Sequence, residues 1–156
     1  MKEEITLDAN DRAILSRLQR DASISIEALA ADIALSRNAC WRRIQRLEQE
    51  GVITGRVALV DPERLGCGQT VFVLVRTSRH DHDWMQQFRR AVESLPEIVG
   101  VYRAAGDIDY ILMARVASVK AYDRLYQRLI EKVPLTDVSA SFVMEEIKET
   151  TACPIP

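Results

Sequence analysis

Residues 36–51 carry two chemistries on one helical period. Cys40, Ile44 and Leu47 recur at i, i+4 and i+7, an apolar stripe that one face of a helix must bury. At about 100° per residue, Asn38, Arg42, Gln45, Arg46 and Gln49 point the other way. Ser36 is placed to cap this helix and Gly51 to end it. Upstream, Ser25 caps a shorter helix whose Leu29, Ala30 and Ile33 face inward, with Ala30 small where two helices approach closely. A further helix spans about residues 8–20, capped by Asp8, with Asp11 in its first turn and Ile14, Leu15 and Leu18 as its stripe. Three short helices in this order form a helix-turn-helix unit.

A helix anchored on one face, with Arg, Asn and Gln on the other, has the donors that a DNA major groove demands. Arg bonds guanine bidentately, Asn and Gln bond adenine in the same way, and Arg also neutralises phosphate. The candidate contacts to double-stranded DNA are Ser36, Arg37, Asn38, Trp41, Arg42, Arg43, Gln45 and Arg46. Arg43 sits toward the flank of the apolar stripe, and Trp41 suits packing against a strand or wing. The chain as a whole has a net charge of −2, but residues 36–56 hold five arginines against two glutamates. So small a basic patch gives modest affinity per copy, which calls for a dimer or higher assembly.

Beyond Gly51 the pattern changes period. Val52 to Val60 is rich in β-branched residues and reads as an extended strand, ended by Asp61-Pro62. Leu65-Gly66-Cys67-Gly68 marks a domain boundary. The second half predicts strands over 71–77, 98–104, 110–116 and 138–147, and helices over 84–95 and 118–132, with a turn at Gly106-Asp107-Ile108-Asp109. That order is β-α-β-β-α-β, the ferredoxin-like unit in which two helices cover one face of an antiparallel sheet. The fold class is thus α+β: a winged helix-turn-helix domain over 1–54, a linker strand and hinge over 55–68, and a ferredoxin-like domain over 69–156. No helix remains for the other sheet face. One set among Phe72, Leu74, Phe142 and Met144 is therefore expected to pack on a second copy.

These residues resemble the Lrp/AsnC family of bacterial and archaeal regulators. The match runs through Leu7-Asp8, Asp11-Arg12 and Ile14-Leu15, then Leu35-Ser36, Cys40, Arg43-Ile44, Arg46-Leu47-Glu48 and Gly51-Val52-Ile53. It continues with Gly106-Asp107, Asp109-Tyr110, Ser141-Phe142-Val143-Met144 and Ile147-Lys148. The chain is most similar to the cysteine-responsive, DecR-like branch, through Cys40-Trp41, Val57 to Glu63, Thr77, Tyr122-Asp123, Met144 to Lys148 and Thr150 to Ile155. Arg37-Asn38-Ala39 departs from the Pro or Thr of many relatives at the start of the recognition helix, so no operator sequence carries over. The resemblance implies a transcription factor whose C-terminal domains pair and assemble further, often to octamers. It implies a small amino-acid effector, cysteine first, between those domains near the glycine turn. Gly106 there lets a ligand approach backbone N–H groups that hold a carboxylate, and Asp107 or Asp109 takes an ammonium. Tyr102 and Ala104 shape the side-chain pocket, and Ser139 and Ser141 add hydroxyls from a neighbour.

Other classes find little support. The sequence lacks a His-Glu-x-x-His motif, a phosphate loop, a dinucleotide fingerprint and a Gly-x-Ser-x-Gly elbow, so no enzyme and no cofactor is expected. An effector-independent architectural DNA-binding protein of the same fold is the alternative. His80-Asp81-His82-Asp83 reads as a polar loop rather than a metal site. The N-terminus lacks a basic region followed by an apolar one, and no apolar run approaches the ~20 residues that span a bilayer. Three cysteines without metal spacing fit reduced thiols in the cytoplasm.

Overall fold

The computed structural model describes residues 5–155, which divide into two compact units. Residues 5–58 cluster with 148–155, and Leu59–Ile147 form the other unit. Contacts thus divide the chain differently from consecutive segments in one respect, the stretch after Ile147. The C-terminal segment belongs by its contacts to the helical unit. No helix among the described residues is long and apolar enough to cross a membrane.

The helical unit contains α1 (Ala9–Leu18), α2 (Ile26–Asp32) and α3 (Arg37–Gln49). Each start is fixed by a side-chain acceptor: Asp8, Ser25 and Ser36 take the backbone N–H of Asp11, Ala28 and Ala39. At α1 the capping is reciprocal, since the Asp11 carboxylate also accepts the Asp8 N–H at 3.1 Å. The stripes meet in a core of Ile14, Leu29, Ala30, Cys40, Ile44 and Leu47, and burial raises the pKa of the Cys40 thiol. Between α2 and α3 the chain turns at Ala34, whose φ of 55° lies in the left-handed region. The Leu35 N–H closes on the Ala30 carbonyl at 2.9 Å, a helix-ending motif that usually places glycine where Ala34 stands.

The expected strand over 52–60 does not form. An isolated strand has no ladder partner, and Val57, Leu59 and Val60 stay exposed at 81%, 73% and 66%. The last strand is also shorter than expected, so Met144 lies beyond it and is almost fully exposed.

The second unit is a four-stranded antiparallel sheet, in spatial order β2-β3-β1-β4. Its strands are β1 (Gln69–Arg76), β2 (Ile98–Arg103), β3 (Tyr110–Val116) and β4 (Asp137–Phe142). Two helices, α4 (His82–Glu93) and α5 (Val119–Lys132), pack with Val71, Val73, Val75, Leu112 and Ala114 into one core. His82 and Asp83 are thus helical rather than in a loop, and Asp81 caps α4 through the Trp84 N–H. Phe142 joins this core edge-on to Tyr122. It therefore does not share the uncovered face with Phe72 and Leu74. Cross-strand pairing sets two rows on that open face: Tyr102–Ile111–Leu74–Ser139 and Gly100–Met113–Phe72–Ser141.

Within the core, Trp84 stacks on Phe88 at 5.1 Å and donates its indole N–H to the Pro134 carbonyl. Tyr110 packs against the same rings, yet its buried hydroxyl has no hydrogen-bond partner among the described residues. Tyr110→Phe should therefore stabilise this unit by about 1 kcal/mol, since it removes a desolvated group that gains nothing in return. A higher urea midpoint at unchanged slope is the expected result; a lower midpoint would show that the hydroxyl is satisfied.

Candidate DNA-reading helix and effector turn

The polar face of α3 separates into free and engaged side chains. Arg43 donates to Asp8 at 2.6 Å and to Asp11 at 2.8 Å. Arg46 also bonds the Asp11 carboxylate and lies 3.8 Å from Glu50. Asp11 is wholly buried, so two guanidiniums compensate one desolvated carboxylate and clamp α3 to α1. Asp8 is held below its ordinary pKa of 3.8, first by the Asp11 N–H and then by Arg43. Its contribution to the fold is complete above that ordinary value and is lost as pH falls through the lowered one. The same two carboxylates raise the Arg43 pKa.

Arg46 therefore turns away from the outward face on which its helical position placed it. Helical spacing fixes where a side chain leaves the backbone, and a guanidinium on a long stem can still swing to a flanking acid. Arg37 pairs with Glu27 on α2, and the Gln45 amide donates to Glu48 at 3.0 Å. Glu48 also takes Arg56 at 2.8 Å. The Ser36 hydroxyl serves the cap. Asn38 and Arg42 are exposed, and Trp41, expected to pack, is 48% exposed beside them. The structure thus brings Asn38, Trp41 and Arg42 forward and uses Arg43 and Arg46 to hold the helix that carries them. The Asp11 clamp was hidden in the sequence, where an acid in the first turn of a helix is explained by the helix dipole alone.

In the second unit, β2 and β3 are joined by a tight loop in which Gly106 has φ 132°. The Ala104 N–H closes the loop on the Asp109 carbonyl at 2.9 Å, and the Asp109 N–H reaches Val75 O at 3.1 Å. The Asp109 carboxylate accepts the Thr77 N–H at 2.8 Å, while the Asp107 carbonyl takes the Arg76 guanidinium. Asp109 thus ties the loop to the end of β1, and Asp107 stays exposed. Tyr102 lies over Gly100 on the open face: a Cβ added at Gly100 would sit 3.0 Å from the Tyr102 hydroxyl. Ser139 and Ser141 are exposed on the same face. Ser139 is three strand spacings from Tyr102, roughly 14 Å, so one chain does not gather these groups into one pocket. A cavity of ≈ 670 Å³ opens at the other end of β1, around Thr70, Arg115 and Glu146, and does not include the turn.

The profile of the Lrp/AsnC ligand binding domain matches residues 70–153, and a winged helix-turn-helix DNA-binding profile matches residues 7–54. The chain belongs to the Lrp/AsnC family. It is 51% identical to the glutamate uptake regulatory protein of Zymomonas mobilis over 150 residues, covering 96% of this chain and 92% of that one. The DNA-binding transcriptional activator DecR of Escherichia coli is 46% identical over 150 residues, covering 96% of this chain and 99% of DecR. Among solved structures, the transcriptional regulator NMB0573 of Neisseria meningitidis in complex with L-Met superposes with a TM-score of 0.91 at 32% identity, covering 96% and 97% of the two chains. This Lrp/AsnC protein is therefore a DNA-binding transcriptional regulator with an amino-acid ligand-binding domain, on the DecR-like branch. Its α3 falls inside the matched DNA-binding region, and the Gly106 loop inside the matched ligand-binding region.

Proposed function

We propose that this Lrp/AsnC regulator reads its operator with Asn38, Trp41 and Arg42, and senses a small amino acid, cysteine first, at the Gly106–Asp109 loop between C-terminal domains. The observation that carries the DNA reading is the exposure of Arg42 and Asn38 on a helix clamped from behind by Asp11. Arg37, Arg43 and Arg46 contribute positive field and order, and Gln45 order alone, rather than primary base contacts. Homodimers form on the open sheet face through Phe72, Leu74, Ile111 and Met113, and assemble to octamers in the cytoplasm. Such a dimer also brings Ser139 and Ser141 of one copy within reach of a neighbour's loop.

Cysteine is favoured by the resemblance of the sequence to the cysteine-responsive branch of the family. The glutamate and L-Met named for other relatives make those amino acids the next to try. An effector acts only through different affinities for different assemblies or DNA-bound states. A thermal-shift panel of the amino acids, with cysteine kept reduced and cystine tested apart, identifies it. A ligand at about 100 times its dissociation constant adds roughly 2.7 kcal/mol to the folded state, a visible shift. A flat panel at millimolar concentrations would instead support the architectural reading.

Asp109→Asn separates the effector role from the loop role. The amide still accepts the Thr77 N–H, so the loop is kept, but the charge that holds an ammonium is gone. Effector-induced stabilisation should vanish while DNA binding without effector is unchanged. Intact effector binding in Asp109→Asn would defeat the proposed pocket.

A further inference from the structure

The chain passes between its two units twice, at 58–59 and again at 147–148. The second passage is anchored on both sides. Before it, the Val143 N–H bonds the Thr70 carbonyl at 3.0 Å and Glu146 accepts the Thr70 hydroxyl at 2.9 Å, at the start of β1. After it, the Gln19 side-chain amide grips the backbone of Cys153 in both directions: Nε2 donates to the Cys153 carbonyl at 3.1 Å, and the Cys153 N–H donates to Oε1 at 2.6 Å. Ile155 then packs against the core of the helical unit. The Ala152 N–H bonds Thr150 Oγ1, which stiffens the approach.

We propose that residues 148–155 are a strap that ties the end of the sheet domain to α1 and so restrains the DNA-reading unit. Gln19 is the residue that ends α1, and α1 also carries the Asp11 clamp on α3. A pull on the strap therefore acts on the helix that positions Arg42. A unit held by one linker samples many orientations, and each must be given up when several units engage one DNA. A second tie removes part of that cost in advance. The strap itself rests on the contacts just described. Its effect on DNA binding rests on the reading of α3 as the DNA-reading helix.

Two variants of the full chain test this. Gln19→Leu leaves an apolar side chain of similar bulk and removes both hydrogen bonds; truncation after Glu149 removes the docked segment. In the parent, amide hydrogen exchange should show protection at Cys153 and slow exchange through the last turn of α1. Gln19→Leu should lose the Cys153 protection and, like the truncation, speed exchange at the end of α1. Each variant should bind DNA selected by the parent protein from random sequence about tenfold more weakly. An unprotected Cys153 amide in the parent would overturn the strap. Loss of protection with unchanged DNA affinity would overturn its role in DNA binding. If the parent selected no DNA, the reading of α3 would fail while the exchange data still decided the strap.

Discussion

Asp11→Ala should cost the helical unit about 2–4 kcal/mol. Three contributions are lost together. The Asp8 N–H loses its acceptor in the capping box, Arg43 loses its more buried partner, and Arg46 loses its contact with α1. The carboxylate side chain is only 1% exposed, so little of its interaction is screened by water. The arginines are partly exposed and regain hydration, which keeps the loss below that of stranding a buried charge. Amide exchange should accelerate through α1 and α3 and stay unchanged in the sheet. Operator affinity should fall as well, since α3 is held less firmly. Undiminished protection of α3 would show that packing alone sets the helix.

Arg42→Ala should weaken binding to selected operator DNA by roughly tenfold to a hundredfold, about 1–3 kcal/mol, without loss of stability. The stability expectation follows from exposure: its guanidinium makes no hydrogen bond or ion pair among the described residues. If Arg42 bonds a guanine edge, discrimination should relax at one base position. If it contacts phosphate alone, affinity should fall alike on every sequence and the salt dependence should become shallower by about one charge. Unchanged binding and specificity would remove Arg42 from the reading surface. Arg46→Ala provides the contrast, because its main effect should appear in stability rather than base discrimination.

Much of this architecture was legible because local chemistry and global fold agree. Asp8, Ser25 and Ser36 start the three helices where a side-chain acceptor was expected, and the Cys40–Ile44–Leu47 stripe is buried as its spacing demands. The β-α-β-β-α-β order followed from alternation and from turn residues, both properties of short windows. The resemblance to the Lrp/AsnC family rested on motifs spread over nearly the whole chain, which the family profiles match over 7–54 and 70–153.

Only the tertiary structure decided which polar groups are spent inside the protein. Arg42 and Arg46 look equivalent on a helical wheel, yet one is exposed with no ion pair among the described residues and the other turns to a carboxylate on α1. Asp109 suggests a ligand contact by its place after glycine, while the fold already uses its carboxylate on Thr77. The stretch 52–60 has strand composition but no strand partner among the described residues, so its propensity is not realised. The return of residues 148–155 to α1 depends on a contact across 134 positions, which no local pattern encodes. Helix starts and periodicity are set by neighbours in sequence. Which charge meets which, and where a tail docks, is set by neighbours in space.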